Sequence, residues 1–102
     1  MSHKQYITPN EVVIFSKSYC SFCTKIEDMF KSIGVQYKIY QCDLGDVSEK
    51  VVTDLKADSK QNTFPNVYVG GVHTQGCSET IALKNNGKLQ TLLKEKGIAF
   101  KA

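Results

Sequence analysis

The sequence predicts an α/β domain, an open mixed sheet of four strands with helices on both faces. Three observations carry that reading. The uninterrupted apolar run Val12-Val13-Ile14-Phe15 suits a strand buried on both faces. Apolar residues at helical spacing follow it, starting just past Cys20. A Gly70-Gly71 pair between two strand-like segments signals a tight hairpin.

The elements follow in order. Tyr6 and Ile7 are expected in a short helix that Pro9 ends. Residues 12–15 form the first strand, and the polar segment Ser16-Lys17-Ser18-Tyr19 leaves it. Phe22, Ile26, Met29, Phe30 and Ile33 then mark one helix face, with Gly34 where a C-cap is wanted. Residues 35–40 read as the second strand, with Val35, Tyr37 and Ile39 on one face. Asp46 or Ser48 can cap a helix carrying Val51, Val52 and Leu55, and residues 57–63 look turn-like. Asn66-Val67-Tyr68-Val69, after Pro65, is the third strand; the glycine pair returns the chain through Val72 to Thr74 as the fourth. Ser78 can cap a helix through Ile81, Ala82 and Leu83, which Asn85-Asn86-Gly87 breaks. Leu89, Leu92 and Leu93 mark a last helix ending near Gly97. A right-handed crossover makes the first two strands parallel, and the hairpin adds antiparallel edge strands.

Hydrophobic residues at 41% and charged residues at 23% match ordinary globular usage, and 102 residues suffice for one core. No repeat or linker divides the chain, so residues 1–102 are read as one domain. The net charge of +3 comes from scattered lysines, which argues against a nucleic-acid surface. The mild surplus would help attract a small anion. No signal-like apolar run follows Met1-Ser2-His3, and no stretch approaches a membrane span. Four cysteines in such a chain are read as reduced thiols, with a cytoplasmic location expected.

Two of them form Cys20-Ser21-Phe22-Cys23. Cys20 falls where a strand ends and a helix begins, facing the unpaired N–H groups of the first turn. Such a helix end favours a thiolate by about 0.3–1 kcal/mol when exposed and up to ~2 kcal/mol when partly buried. Lys17 adds a second positive influence. The thiolate is the nucleophile, so Cys20 is the attacking residue. Cys23, inside the turn, is the deeper partner suited to attack a mixed disulfide on Cys20.

Three plainer readings compete. A Cys-x-x-Cys is half of a zinc site, but Cys42 and Cys77 form no second close pair and His3 and His73 lack finger spacing. A purely structural buried pair also suits a strand–helix junction. A Cys–His hydrolase needs a histidine facing Cys20, whereas His3 in the tail and His73 in the hairpin read as surface residues. Disulfide exchange fits the residues best, and it requires no metal.

Lys17-Ser18-Tyr19-Cys20-Ser21-Phe22-Cys23, Gln61-Asn62-Thr63-Phe64-Pro65-Asn66-Val67-Tyr68-Val69-Gly70-Gly71 and Gly76-Cys77-Ser78-Glu79 succeed one another along the chain. Their order and spacing resemble the glutaredoxin family over roughly residues 12–97. The first is similar to the family's Lys-x-x-Cys-Pro-Tyr-Cys active site. The second is similar to its Thr-Val-Pro strand and Gly-Gly hairpin, and the third to its Gly-Gly-Cys-Asp-Asp segment.

The resemblance implies a thioredoxin-like fold and a glutathione-dependent thiol–disulfide oxidoreductase. Glutathione would be co-substrate, glutathionylated or disulfide-bonded proteins the partners, and the chain a monomer. Pro65 is expected to follow a cis bond, presenting the N–H and C=O of Phe64 beside Cys20 for the backbone of glutathione. Lys17 and Gln61 resemble the residues that hold its glycyl carboxylate, and Phe22 stands at the rim. Cys77 and Ser78 resemble positions whose backbone N–H groups hold the γ-glutamyl carboxylate. Cys77 is carried over for its backbone, and Cys42 is read as structural or incidental. Taken alone, Lys17 would be a solvated charge, Pro65 a strand start and Ser78 a plain cap.

The chain departs from the family at Ser21 (proline), Phe22 (tyrosine), Phe64 (valine) and Gln75 (glycine). Serine variants at the first position resemble members that hold an iron–sulfur cluster between two subunits. The alternative function is therefore a cluster carrier or sensor, dimeric through Cys20 and glutathione thiolates. Gln75 is expected to narrow the glutathione groove. A thioredoxin reduced by a flavoprotein is the other enzyme reading, against which Lys17 and Gly76-Cys77-Ser78-Glu79 argue.

Overall fold

The apolar run at residues 12–15 becomes the centre of the molecule. In the computed structural model, which describes residues 3–7 and 9–101, strand β1 (Val12–Ser16) is buried along its whole length. Strand β2 (Tyr37–Gln41) pairs with it in parallel and β3 (Asn66–Val69) antiparallel. Strand β4 (Val72–Gln75) closes the order β2-β1-β3-β4. The parallel pair needs a crossover, which helix α1 (Ser21–Ser32) supplies. The antiparallel β3–β4 pair needs only Gly70 and Gly71, at φ +56° and +84°, a conformation that side chains resist. A Cβ on Gly70 would also collide with Lys96 Cγ. Of the hairpin's two strands only β4 is an edge; β3, expected at an edge, is interior because β1 occupies its other side.

The alternation of side chains along the strands builds two cores. Val12, Ile14, Val67 and Val69 face Ile26, Met29, Phe30 and Ile33 around α1, and Leu89 and Leu93 of α4 (Lys88–Glu95). Val13, Phe15 and Tyr68 face Val51 and Leu55 of α2 (Glu49–Ser59), with Tyr6 and Ile7 packed against them. Helix α3 (Cys77–Asn85) lies on the first side, where Cys77 joins the core. The expected layers and the parallel β1–β2 pair are therefore present.

Several local expectations shift. Ser48, not Asp46, caps α2, accepting from Val51 N at 3.3 Å. Asp46 instead accepts from Gln41 N at 2.7 Å. Helix α2 runs to Ser59, into the stretch expected to turn, and Lys60 ends it at φ +57°. Val35 is buried but precedes β2. Helix α3 is N-capped by Gly76, so Ser78 sits inside its first turn. A 3-10 turn spans His3–Tyr6, and Pro9 lies beyond it; Thr8 is outside the described residues. His3 is not a surface residue: it is 2% exposed, with Nε2 3.0 Å from Asp58 Oδ2 on α2. His73 is half-buried against Tyr68. Among the described residues no helix is long and apolar enough to cross a membrane.

The β3–β4 register slips by one residue after Val67, which pairs with Gln75 while Tyr68 pairs with His73. Gln75 then sits at φ +70°. Left-handed backbone costs a non-glycine residue about 1–2 kcal/mol, partly offset by the extra freedom of glycine in the unfolded chain, about 0.5–1 kcal/mol. Gln75→Gly is therefore expected to stabilise the fold by roughly 0.5–1 kcal/mol. A higher thermal midpoint checks it; an unchanged or lower one contradicts it.

Candidate active site

Strand β1 delivers the chain into a tight loop, where Cys20 N bonds to Lys17 O at 3.1 Å. Asp43, in the 3-10 turn Cys42–Leu44 beyond β2, ties this loop down by accepting from Ser18 N and the Ser18 hydroxyl. The Ser18 hydroxyl is the main reason the Asp43 carboxyl lies below its usual range. Cys20 then caps α1 from extended backbone, φ −93° and ψ 113°, and its Sγ accepts from Cys23 N at 3.2 Å. An oxygen side chain usually fills that position. Here sulfur does, which places the Cys20 Sγ at the positive end of a helix.

Cys23, Cys42 and Cys77 are all pushed toward the neutral thiol. Cys23 is 2% exposed, and burial, with the Cys20 sulfur beside it, pushes its thiol up to about 11. Burial likewise pushes Cys42 up to about 11 and raises Cys77. Cys20, partly exposed, is the thiol of this site within reach of solvent. These shifts have a sign for stability. Between the ordinary thiol value near 9 and the native value near 11 for Cys23 and Cys42, the folded chain binds more protons than the unfolded one. Stability is thus expected to fall as pH rises through that window, and urea unfolding at a series of pH values reads it. Stability that stays flat or rises there would refute the assignment.

The opposite wall is the turn before β3. The Phe64–Pro65 peptide bond is cis. The Phe64 carbonyl stands 3.7 Å from Cys20 Sγ, where it accepts from the thiol. Its ring carries two ammonium groups, Lys17 Nζ at 5.1 Å and Lys56 Nζ at 5.8 Å. Beside it opens a groove of about 330 Å³ lined by Phe22, Phe64, Pro65, Cys77, Ser78 and Glu79 among others. The groove ends on α3, whose first N–H groups have no partners within the helix. Glu79 Oε1 accepts from Gly76 N at 3.0 Å, so the unpaired first-turn groups at Cys77 and Ser78 are what this helix end presents to an anion.

Phe22, Phe64, Pro65, Cys77 and Ser78 thus share one groove, whereas Lys17 lies over the Phe64 ring and lines a separate cavity of about 380 Å³ with Cys42, Asp43 and Lys56. Phe22, expected within the apolar helix face, is 61% exposed and belongs to the rim rather than the core. Gln61 is placed differently from its expected part in carboxylate binding. Its Nε2 donates to Thr63 O at 2.9 Å and to Pro65 O at 2.8 Å, while Oε1 meets His73 Nε2 at 3.2 Å. Gln75 lines a separate polar cavity of about 430 Å³ with Gln61 and His73, not the groove it was expected to narrow. Sequence reasoning gave no role to Asp43 or Lys56, read His73 as a surface residue and quoted Glu79 only as part of a motif. Glu79, three residues after Gly76, had a capping signal. The others arrive from distant segments and had none.

A bound cluster was the alternative. Among the described residues no group of three or more His, Cys, Asp and Glu is gathered to hold a metal ion. With Cys23 and Cys77 buried and Cys42 in the separate cavity beside Asp43, Cys20 is the partly exposed thiol at this site, so one chain's residues do not by themselves fit a cluster.

The glutaredoxin family model matches residues 12–74. A glutaredoxin of Ricinus communis is 37% identical over 94 residues, covering 92% of this chain and 92% of that protein. Among solved structures, wheat glutaredoxin superposes with a TM-score of 0.83 at 38% identity, over 91% of this chain and 88% of that one. A buckwheat glutaredoxin–glutathione complex gives 0.84 at 33% identity, over 92% and 86%. A strand-to-helix Cys-x-x-Cys on this sheet order, in a chain so matched, leaves one conclusion: it belongs to the glutaredoxin family of thiol–disulfide oxidoreductases.

Proposed function

We propose that the chain reduces glutathione mixed disulfides and protein disulfides, with glutathione as co-substrate and Cys20 as nucleophile. The observation that carries this reading is the setting of Cys20 Sγ. It accepts from the α1 backbone and stands beside the Phe64 carbonyl, next to a groove that ends on the α3 N-terminus. Glutathione bound in a solved relative supports the same ligand here.

In the reaction, the Cys20 thiolate attacks the glutathione sulfur of a mixed disulfide. The substrate sulfur leaves with the electron pair of the broken S–S bond and takes a proton. A second glutathione thiolate then attacks the glutathione sulfur on Cys20, forming glutathione disulfide and releasing the Cys20 thiolate. With a protein disulfide, Cys20 first bonds to one substrate sulfur. Cys23 then gives up its proton and displaces the substrate, and two glutathiones reduce the Cys20–Cys23 disulfide. Lys17 and the N–H groups of Cys77 and Ser78 hold the two carboxylates of glutathione. Four free cysteines fit action as a monomer in a reducing compartment such as the cytoplasm.

The test is glutathione-coupled reduction of a small glutathione mixed disulfide. Turnover supports the assignment, and inactivity with glutathione overturns it. The cluster-carrier reading, for which Ser21 speaks, requires a second copy. Anaerobic reconstitution with iron, sulfide and glutathione decides it: a coloured dimer supports that reading, and a colourless monomer ends it.

A further inference from the structure

Resting on the glutathione reading above, we infer that Gln61 and His73 are positioning residues that act together to aim the Phe64 carbonyl at Cys20. A carboxamide has only two N–H donors. Gln61 gives both to carbonyls of the turn, Thr63 O and Pro65 O. These two acceptors flank Phe64 in sequence. The carbonyl between them is the one left for Cys20, at 3.7 Å. A Gln61 so engaged has no donor free for a ligand carboxylate.

The carboxamide also reaches the far wall of the groove. A Cβ built on Gly76 would lie 3.6 Å from Gln61 Nε2 and 3.5 Å from Pro65 O. Gln61 therefore packs between the Phe64 turn and the start of α3, the two walls between which glutathione would lie.

His73 fixes the orientation of that amide. Because Gln61 Nε2 must donate twice, Oε1 is the atom facing His73, and His73 Nε2 must carry the hydrogen. The imidazole is itself held in place. It packs on Tyr68 with ring centroids 5.0 Å apart, and Tyr68 is its partner across the β3–β4 register and 4% exposed. Burial lowers the His73 pKa, against a smaller opposing effect of Asp58. Nε2–H is present whether the ring is neutral or charged, so the bond survives protonation. The chain of contacts runs from the core through Tyr68, His73 and Gln61 to the Phe64 turn.

The experiment compares wild type, His73→Leu, His73→Gln, Gln61→Ala and the double variant His73→Leu/Gln61→Ala in the glutathione-coupled assay. Mixed disulfides of glutathione and of γ-glutamylcysteine, which lacks the glycine, serve as substrates. Misplacing a reacting frame by about 1 Å costs up to about 100-fold, so each single loss is expected between roughly 10- and 100-fold in kcat/KM. The double variant should be no worse than Gln61→Ala alone, because His73 acts through Gln61. His73→Gln, which keeps a donor, should recover most of the loss. The Gln61→Ala loss should be equal for both substrates.

His73→Leu matching wild type, losses that multiply in the double variant, or a Gln61→Ala loss that disappears without the glycine would each overturn the inference. Nitrogen-15 NMR of the wild-type imidazole supplies a reading independent of activity and of variant folding. The Nε2–H form supports the inference, and a neutral ring protonated at Nδ1 defeats it. Wild type lacking glutathione turnover would instead defeat the function itself, a separate result.

Discussion

Cys20→Ser is expected to bring glutathione-coupled turnover down to the uncatalysed rate, while Cys23→Ser keeps reducing small glutathione mixed disulfides. The contrast follows from two sulfurs in one helical turn with opposite settings. Cys20 Sγ accepts from the α1 backbone and is partly exposed to solvent. A serine hydroxyl there would still cap α1, so the helix survives and the loss is chemical. Cys23 is buried and held as a thiol up to about 11, so at neutral pH it is a poor competitor for the mixed disulfide on Cys20. With protein disulfides the Cys23→Ser variant should be slower, because glutathione must then resolve the intermediate. Activity retained in Cys20→Ser, or lost in Cys23→Ser with the small substrate, would assign the nucleophile wrongly.

Phe30→Ala should cost about 3–5 kcal/mol, a large part of the 5–15 kcal/mol typical of a domain. Phe30 is wholly buried between α1 and the sheet, among Val12, Ile14, Ile26 and Leu93. Close-packed neighbours collapse only partly into the space a lost ring leaves. Phe22, in the same helix, is 61% exposed, and Phe22→Ala should stay within about 0.5 kcal/mol. Urea midpoints for the two variants, with the denaturant slope unchanged, measure the difference. Equal midpoints would show that α1 does not seat on the sheet through Phe30. Because Cys20 caps that helix, Phe30→Ala should also weaken turnover at temperatures where the variant begins to unfold.

The two phenylalanines also show where periodicity reads correctly and where it stops. Ile26, Met29 and Phe30 follow the helical repeat into the core, and Phe22 follows the same repeat into solvent. There it lines the groove beside Phe64, Pro65 and Cys77 instead of joining the core. Ser78 likewise had the chemistry of a cap, but Gly76 takes the role because the chain leaves β4 there in extended backbone. His3 read as tail, yet α2 offers Asp58 and the sheet offers Tyr68 to bury it.

By itself the sequence determined the strands and helices with strong local repeats, the Gly70-Gly71 turn and the place of Cys20 at a strand–helix junction. Each of these depends on neighbours a few residues away, where backbone geometry sets which side chains share a face. Tertiary structure alone decided that β3 is interior, that Asp43 ties down the Cys20 loop, that Lys56 joins Lys17 on Phe64, and that Gln61 turns inward to the protein. Those outcomes depend on which segments meet in space. A hydrogen-bonding side chain takes the nearest well-aligned partner the fold supplies, and that partner leaves no mark on the residues beside it in the chain.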